Sequence, residues 1–307
     1  MFLILFCIVL QRCISALSQS DIKRTPFVGC WLTNMLCCSM TNNQKAPLHD
    51  LTKKQIYKYA VRLRDQGKLF NRPNAYYEDT FKTSIDSYCE IAYHLRKSKR
   101  VLDVGAGSGL LLSLLHELGH ECYAIDITDL PNVYANEIFD GQKIHFKLCN
   151  VEIDNIPYAD NYFDAVVCSE TLEHFTHSHL NAIKEMYRVL DRVGIIEINV
   201  PNAVCFRNRS RMLRGKHITW DYEKHYLDAT PVIYKGIPCY PDRHNREFTA
   251  DELKLLLERG DFKNIHVYFL KSRRHREGLQ RLRSIGSAVR DIVPSLRKSL
   301  IGFGEKL

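Results

Sequence analysis

One stretch constrains this 307-residue chain more than any other: VLDVGAGSGLLLSLLHELGHECYAIDITD, residues 101–129. It begins in a short β-type run, Arg100–Val104, turns through Gly105, Gly107 and Gly109, and continues as an apolar helical run, Leu110–Leu118. A second strand, Cys122–Asp126, follows at once. Two strands joined by so short a helix pack as a right-handed parallel crossover. The alternation then repeats. Lys143–Leu148, Phe163–Cys168 and Gly194–Val200 read as strands, the last closed by Pro201. His179–Leu190 reads as a helix with Leu180, Ile183, Tyr187 and Leu190 on one face. The pattern predicts an α/β fold, a doubly wound parallel sheet with helices on both faces and its ligand at the C-terminal edge of the strands. Two helices precede it: an amphipathic one within residues 48–68, carrying Leu51, Ile56, Tyr59 and Leu63, and another over Asp79–His94, with a loop at Asn71–Asn74 between them.

The glycine spacing is GxGxG, not the GxGxxG of dinucleotide-binding proteins. Such glycines let the backbone approach a ligand, and the helix N-terminus presents free N–H groups. A plain strand–helix turn would need the same residues, so the neighbouring acids carry the distinction. Asp103 precedes the first glycine, where a carboxylate would repel a pyrophosphate and suit a cation such as the amino group of a methionine-derived cofactor. Asp126 ends the next strand, placed for two ribose hydroxyls. A third element is NVEIDNIPYADNYFD, residues 150–164.

Together these three elements resemble the class I S-adenosylmethionine-dependent methyltransferases, over roughly residues 85–270. The resemblance implies a Rossmann-like seven-stranded sheet with an antiparallel seventh strand, a helical N-terminal cap and S-adenosylmethionine as cofactor. It implies cofactor contacts from Asp103, Gly105, Ala106, Gly107, Gly109, Asp126, Ile127 and Cys168. Asn150 and Val151 fall at the adenine end. Asn150 stands where the family usually has Asp, and its amide oxygen can still accept from an exocyclic amine. EFTADELKLLLERGDFKNIHVYFL is similar to the family's late helix and sixth strand, the latter over residues 263–270, and SLIGFGEKL, 299–307, to its seventh. The connection 271–298 between those strands should then border the acceptor side.

Methyl transfer from a sulfonium is an in-line displacement, so the protein must position the acceptor and deprotonate or polarise it. Candidates follow the fourth strand in the E-x-x-E-H run: Glu170, Glu173 and His174. With His244 they resemble the quartet of small-RNA 2′-O-methyltransferases, and more loosely that of ubiquinone-pathway O-methyltransferases, which can bind a divalent cation. Mixed O/N ligation suits Mg²⁺ or Mn²⁺. The alternative is a metal-free site in which Glu173 caps a helix and His174 packs or acts as general base. Residues 203–243 form a long insertion, a lid or substrate pocket, with Arg207, Arg209, Arg211, Arg214 and Lys216 before Trp220, Tyr222, Tyr226, Tyr234 and Tyr240. Tyr76 and Tyr77 of the N-terminal helices are expected over the cofactor.

The formal charge of +8 comes from 43 basic and 35 acidic residues, and it is uneven. Residues 271–307 hold ten Lys/Arg and three Asp/Glu, so the rest of the chain is close to neutral. A near-neutral body without a recognised RNA-binding domain disfavours nucleic acid as partner. The basic segment has Leu279, Leu282, Ile285 and Val289 at helical spacing, which suits packing on the sheet or an anionic membrane. Residues 1–47 are a separate extension with an apolar run, FLILFCIVL, too short to span a bilayer, and five of the eleven cysteines. It reads as an anchor, a weak signal or an upstream extension, and Cys37 and Cys38 are acylation candidates. The remaining cysteines show no CxxC, consistent with reduced thiols in a cytoplasmic protein, membrane-associated if the extension or the basic segment binds lipid. The reading is an enzyme, residues 48–307, that O-methylates a small or carrier-linked sugar or quinone-type acceptor. RNA 2′-O-methylation and a non-catalytic cofactor-binding protein are the alternatives.

Overall fold

The computed structural model describes residues 50–69, 75–128, 144–219, 221–271 and 291–307. Outside them lie the apolar extension with its cysteines, the 71–74 loop, Trp220 and the apolar positions of the basic segment; the side chain of Tyr76 is likewise not described.

Seven strands form one sheet: β1 Arg100–Val104, β2 Glu121–Asp126, β3 His145–Leu148, β4 Phe163–Ser169, β5 Leu190–Pro201, β8 Lys263–Phe269 and β9 Ser299–Glu305. Their order is β3-β2-β1-β4-β5-β9-β8. β1 to β5 pair in parallel, and β9 runs antiparallel to β5 and β8, with Ile198 opposite Gly302 and Val267 opposite the same glycine. This is the expected doubly wound sheet. The order reverses between β1 and β4, so a crevice opens above their C-terminal ends.

Side chains alternate between the two faces of each strand. Val101, Cys122, Ala124, Ala165 and Val167 join one core with α1 (Lys53–Asp65), α2 (Ala75–His94) and α3 (Leu110–Glu117). Leu102, Val104, Ile125, Val166, Cys168, Ile196 and Ile198 join the other with α4 (His179–Val189) and α6 (Ala250–Arg259). The central strands are buried on both sides, which is why their sequences are unbroken apolar runs. Capping boxes start α1, at Thr52 with Gln55, and α6, at Thr249 with Glu252.

The insertion has structure of its own. It contains α5 (Phe206–Leu213), a π-helical turn at Glu223–Leu227 and a hairpin of β6 (Val232–Tyr234) and β7 (Ile237–Cys239). Lys235 and Gly236 both have positive φ, the conformation a two-residue hairpin turn requires. Several of its arginines do not face a ligand. Arg209 donates to the Val204 carbonyl, Arg211 to those of His217 and Thr219, and Arg214 to that of Ser210.

α2 begins at Ala75, four residues before the expected Asp79, and β5 begins at Leu190 rather than Gly194. Tyr77 is a core residue packed among the α1–α3 layer instead of a cover for the crevice. No helix among the described residues is long and apolar enough to cross a membrane.

Candidate functional site

A cavity of about 280 Å³ occupies the crevice above β1, β2 and β4. Six of the expected cofactor residues, Gly105, Gly107, Asp126, Ile127, Asn150 and Val151, line it. The glycine loop is a backbone necessity. Gly105 has φ +80°, and a Cβ there would sit 2.3 Å from the Thr171 side chain. Gly107 (φ +51°) turns its N–H onto Asp126 Oδ2 at 2.9 Å, while Thr128 donates to Oδ1 through both N–H and hydroxyl. Gly109 is the N-cap of α3 and also left-handed. Ala106 and Gly109 shape the loop without lining the cavity.

Asp103, near the end of β1, is 2% exposed and is not among the residues that line the cavity, and its Oδ1 has no hydrogen-bond partner among the described residues. Burial, with the neighbouring charge of Asp126, raises its carboxyl to about 7. A buried acceptor with no donor is destabilising on its own and fits a cationic donor arriving from the crevice. The residues present therefore fit the amino-acid end of S-adenosylmethionine. Cys168 does not share this role through its side chain. It is 0% exposed, inside the core, and burial holds its thiol well above the ordinary value. At the other end, Asn150 Oδ1 accepts from the Glu152 N–H at 3.0 Å, and its Nδ2 donates to Cys239 Sγ of β7 at 3.6 Å. Tyr234 and Lys235 bond to Asp154, so the hairpin is clamped onto the Asn150–Asp154 loop and brings Cys239, Tyr240, Pro241 and Asp242 to the cavity wall.

Apart from Tyr240, sequence reasoning did not find these insertion residues, nor Thr171, Phe175 and Thr176, which also line the cavity. Nothing in the local sequence marks them. They reach the site through the hairpin dock and the turn after β4.

That turn, Leu172–His174, carries the acidic and imidazole cluster. Glu173 is 0% exposed and neither carboxylate oxygen has a hydrogen-bond partner among the described residues. Burial and the charge of Glu170 hold its carboxyl well above the usual range. His174 Nδ1 lies 2.9 Å from the Arg243 carbonyl, which can only accept, so that nitrogen carries the proton and Nε2 is bare. Burial and His244 lower this imidazole to about 4, so it is neutral. The backbone of Asn245 donates to the Glu173 carbonyl at 2.7 Å and its side chain to that of His174 at 2.8 Å, which brings His244 across from a distant segment. The His174 and His244 rings meet edge to face at 4.9 Å. One ligand-type atom from each of Glu173, His174 and His244 lies within 4.8 Å of the others.

Three of the four expected cluster residues thus converge. Glu170 stands apart from the triad. It accepts from Asn199 Nδ2 at 3.0 Å and is exposed, yet ringed by protein; desolvation and Glu247 raise its carboxyl to about 7, against the pull of His244, Asn199 and Lys298.

Comparison with known proteins agrees with this fold. Residues 102–198 match the family described as a methyltransferase domain. The chain is 30% identical over 194 residues to the ubiquinone/menaquinone biosynthesis C-methyltransferase of Vibrio vulnificus, covering 57% of this chain and 68% of that protein. It is 33% identical over 108 residues to the mitochondrial ubiquinone biosynthesis O-methyltransferase of Mus musculus, covering 34% of this chain but only 29% of the mouse protein. Among solved structures, a methyltransferase of Haloferax volcanii in complex with the Trm112 methyltransferase activator superposes with a TM-score of 0.50 at 13% identity, over 82% of this chain and 97% of that one.

Proposed function

Since the chain belongs to the class I S-adenosylmethionine-dependent methyltransferases, we propose that it transfers the methyl group to a hydroxyl of a small or carrier-linked acceptor. When bound, S-adenosylmethionine supplies a methyl group activated by its sulfonium and leaves as S-adenosylhomocysteine. Asp103 binds the amino group of the cofactor, Asp126 its ribose hydroxyls, and Asn150 with the Val151 N–H its adenine. Phe175 and Tyr240 close the walls of the cavity against water.

One observation carries the choice of oxygen as the acceptor atom. The neutral His174 offers a bare Nε2 beside Glu173 and His244, in the cavity that the glycine loop also lines. A hydroxyl there can give its proton to His174 Nε2 while the Arg243 carbonyl holds the ring in that tautomer. The two relatives methylate carbon and oxygen respectively, and a quinone-type acceptor is the class their names suggest.

The same three groups could hold a divalent cation, which would lower the pKa of the acceptor hydroxyl. The unpartnered Glu173 oxygens and the His174 Nε2 fit that role, and two imidazoles with one carboxylate suit Mn²⁺ better than Mg²⁺, which prefers oxygen ligands. The decisive experiment is methyl transfer from labelled S-adenosylmethionine with purified protein, before and after exhaustive EDTA treatment. Transfer to hydroxyl oxygen supports the reading, and transfer to carbon alone refutes it. Full activity in metal-free protein removes the cation and leaves His174 as base.

A further inference from the structure

A second cavity, of about 540 Å³, adjoins the crevice, and Glu170 lines both. Its walls come from α2, the end of β5, α5 and the first residues of β9, segments far apart in the chain. Both ends of the basic connection reach it, Leu270 from one side and Lys298 from the other. His244, part of the catalytic cluster, lines it as well.

By residue type the lining is mostly polar. Of its sixteen residues only Pro201, Leu270 and Cys205 offer neither charge, amide, imidazole nor hydroxyl. A polyprenyl chain is best held by a continuous apolar tunnel, and this lining has no run of apolar side chains to form one. The unused groups specify what does fit. Asn208 is 1% exposed; its Nδ2 donates to the Asn202 and Ala203 carbonyls and to Glu247, which fixes the amide and leaves Oδ1 without a donor. That oxygen calls for an O–H or N–H from the occupant. Glu170 and Glu247 are further acceptors for hydroxyls. Lys82 and Lys298 are exposed, and neither has an acidic side chain within ion-pair distance among the described residues. Two ammonium groups on one cavity, neither in a contact ion pair although the charge of Lys298 reaches Glu170, are a landing place for a phosphate or carboxylate.

We propose that this cavity is the acceptor pocket and that it takes a polyhydroxylated small molecule bearing an anionic group, a sugar or polyol phosphate or acid, and not a prenylated quinone. The proposal rests on the methyltransferase reading above. The hydroxyl-rich body lies toward Asn208 and Glu247, the anion on Lys82 and Lys298, and the reacting hydroxyl at Glu170, where this cavity meets the crevice that His174 lines.

The test incubates the protein with labelled S-adenosylmethionine and a small-molecule extract of the cells that make it, then partitions the label. The expected product is water-soluble and retained on an anion exchanger. Loss of retention after phosphatase treatment identifies a phosphate, and its persistence a carboxylate; either supports the proposal. Paired Lys82→Glu and Lys298→Glu substitutions should raise KM for that product's precursor at least about tenfold, the size of one partly desolvated ion pair, with S-adenosylhomocysteine binding intact as evidence of folding. Restoration by Lys82→Arg and Lys298→Arg separates charge from shape. Label in the organic phase or in nuclease-sensitive polymer overturns the acceptor class and leaves methyl transfer standing. Failure to bind S-adenosylmethionine, or to label any fraction, overturns both.

Discussion

Asp103 gives the sharpest quantitative test, because its cofactor role and its cost to the fold pull in opposite directions. Its carboxyl is raised from 3.8 to about 7 by burial and by Asp126. The ammonium of the cofactor requires the ionised form, so binding below pH 7 must first remove a proton from the free protein. The window from pH 7.0 to 5.5 is informative, since an α-amino group stays protonated throughout it. Over that window the apparent dissociation constant should rise about 16-fold, or about 1.6 kcal/mol. The folded pKa is raised above the unfolded one. The corresponding stability is therefore fully present below about pH 4 and is lost as pH climbs through 7, by roughly 4 kcal/mol at most. Asp103→Asn should abolish the pH slope, weaken S-adenosylmethionine binding about 100-fold or more, and unfold at higher denaturant concentration than the native protein at pH 8. Isothermal titration at four pH values and urea denaturation at pH 8 measure all three. A native affinity that is flat from pH 7.0 to 5.5, or an Asn variant that binds as tightly as the original, would refute the reasoning.

Gly105→Ala adds a side chain at φ +80° and 2.3 Å from Thr171; left-handed strain and the clash together should lower stability by at least about 2 kcal/mol, read by denaturant midpoint, and abolish cofactor binding. On the far side of the sheet, His94 Nδ1 lies 2.9 Å from Glu197 Oε2, and Glu197 is 0% exposed. Burial pulls the His94 pKa down, but the bond and charge of Glu197 with Glu90 push it up on balance. Its contribution is present below pH 6.5 and fades as pH rises through the folded value, so His94→Ala should destabilise by about 3–5 kcal/mol at pH 6, less at pH 9, with Glu197→Gln restoring most of the loss. His174→Ala should cut kcat by about 10²–10⁴-fold while S-adenosylmethionine still binds, which single-turnover kinetics and calorimetry resolve. Loss of kcat smaller than tenfold would reassign His174 to packing.

The parts of this molecule that could be read in the sequence are those where function and local structure use the same few consecutive residues. The run from Arg100 to Asp126 shows β1, the glycine loop, α3 and β2 at once, because both strands are buried on two faces and the loop demands glycine. Phe248 and Thr249 likewise give away α6, since the buried aromatic and the capping box are adjacent. The hairpin β6–β7 escaped because its strands are three residues long and one contains Pro238, a residue that argues against a strand. Its signal was the Lys235-Gly236 turn. The split of the expected quartet into the Glu173–His174–His244 triad and a separate Glu170 follows from a turn of backbone that residue spacing does not record. The second cavity was out of reach altogether, since Lys82, Asn208 and Lys298 meet only when α2, α5 and β9 are assembled.

Glu170 itself sits with φ +52°, a conformation that glycine or asparagine holds at less expense. Its backbone N–H is pinned to the Asn199 carbonyl at 2.7 Å, so the strained geometry is enforced by the neighbouring strand. Asp103 and Glu170 are therefore both places where a different residue would make a sturdier protein. Anyone selecting this enzyme for heat resistance alone, or repairing it toward the most comfortable residue at each position, would be drawn to these two sites first. The variants recovered would be robust, well expressed and inactive. Selection for durability in this scaffold has to be coupled to turnover, because the crevice is where the fold is least at ease.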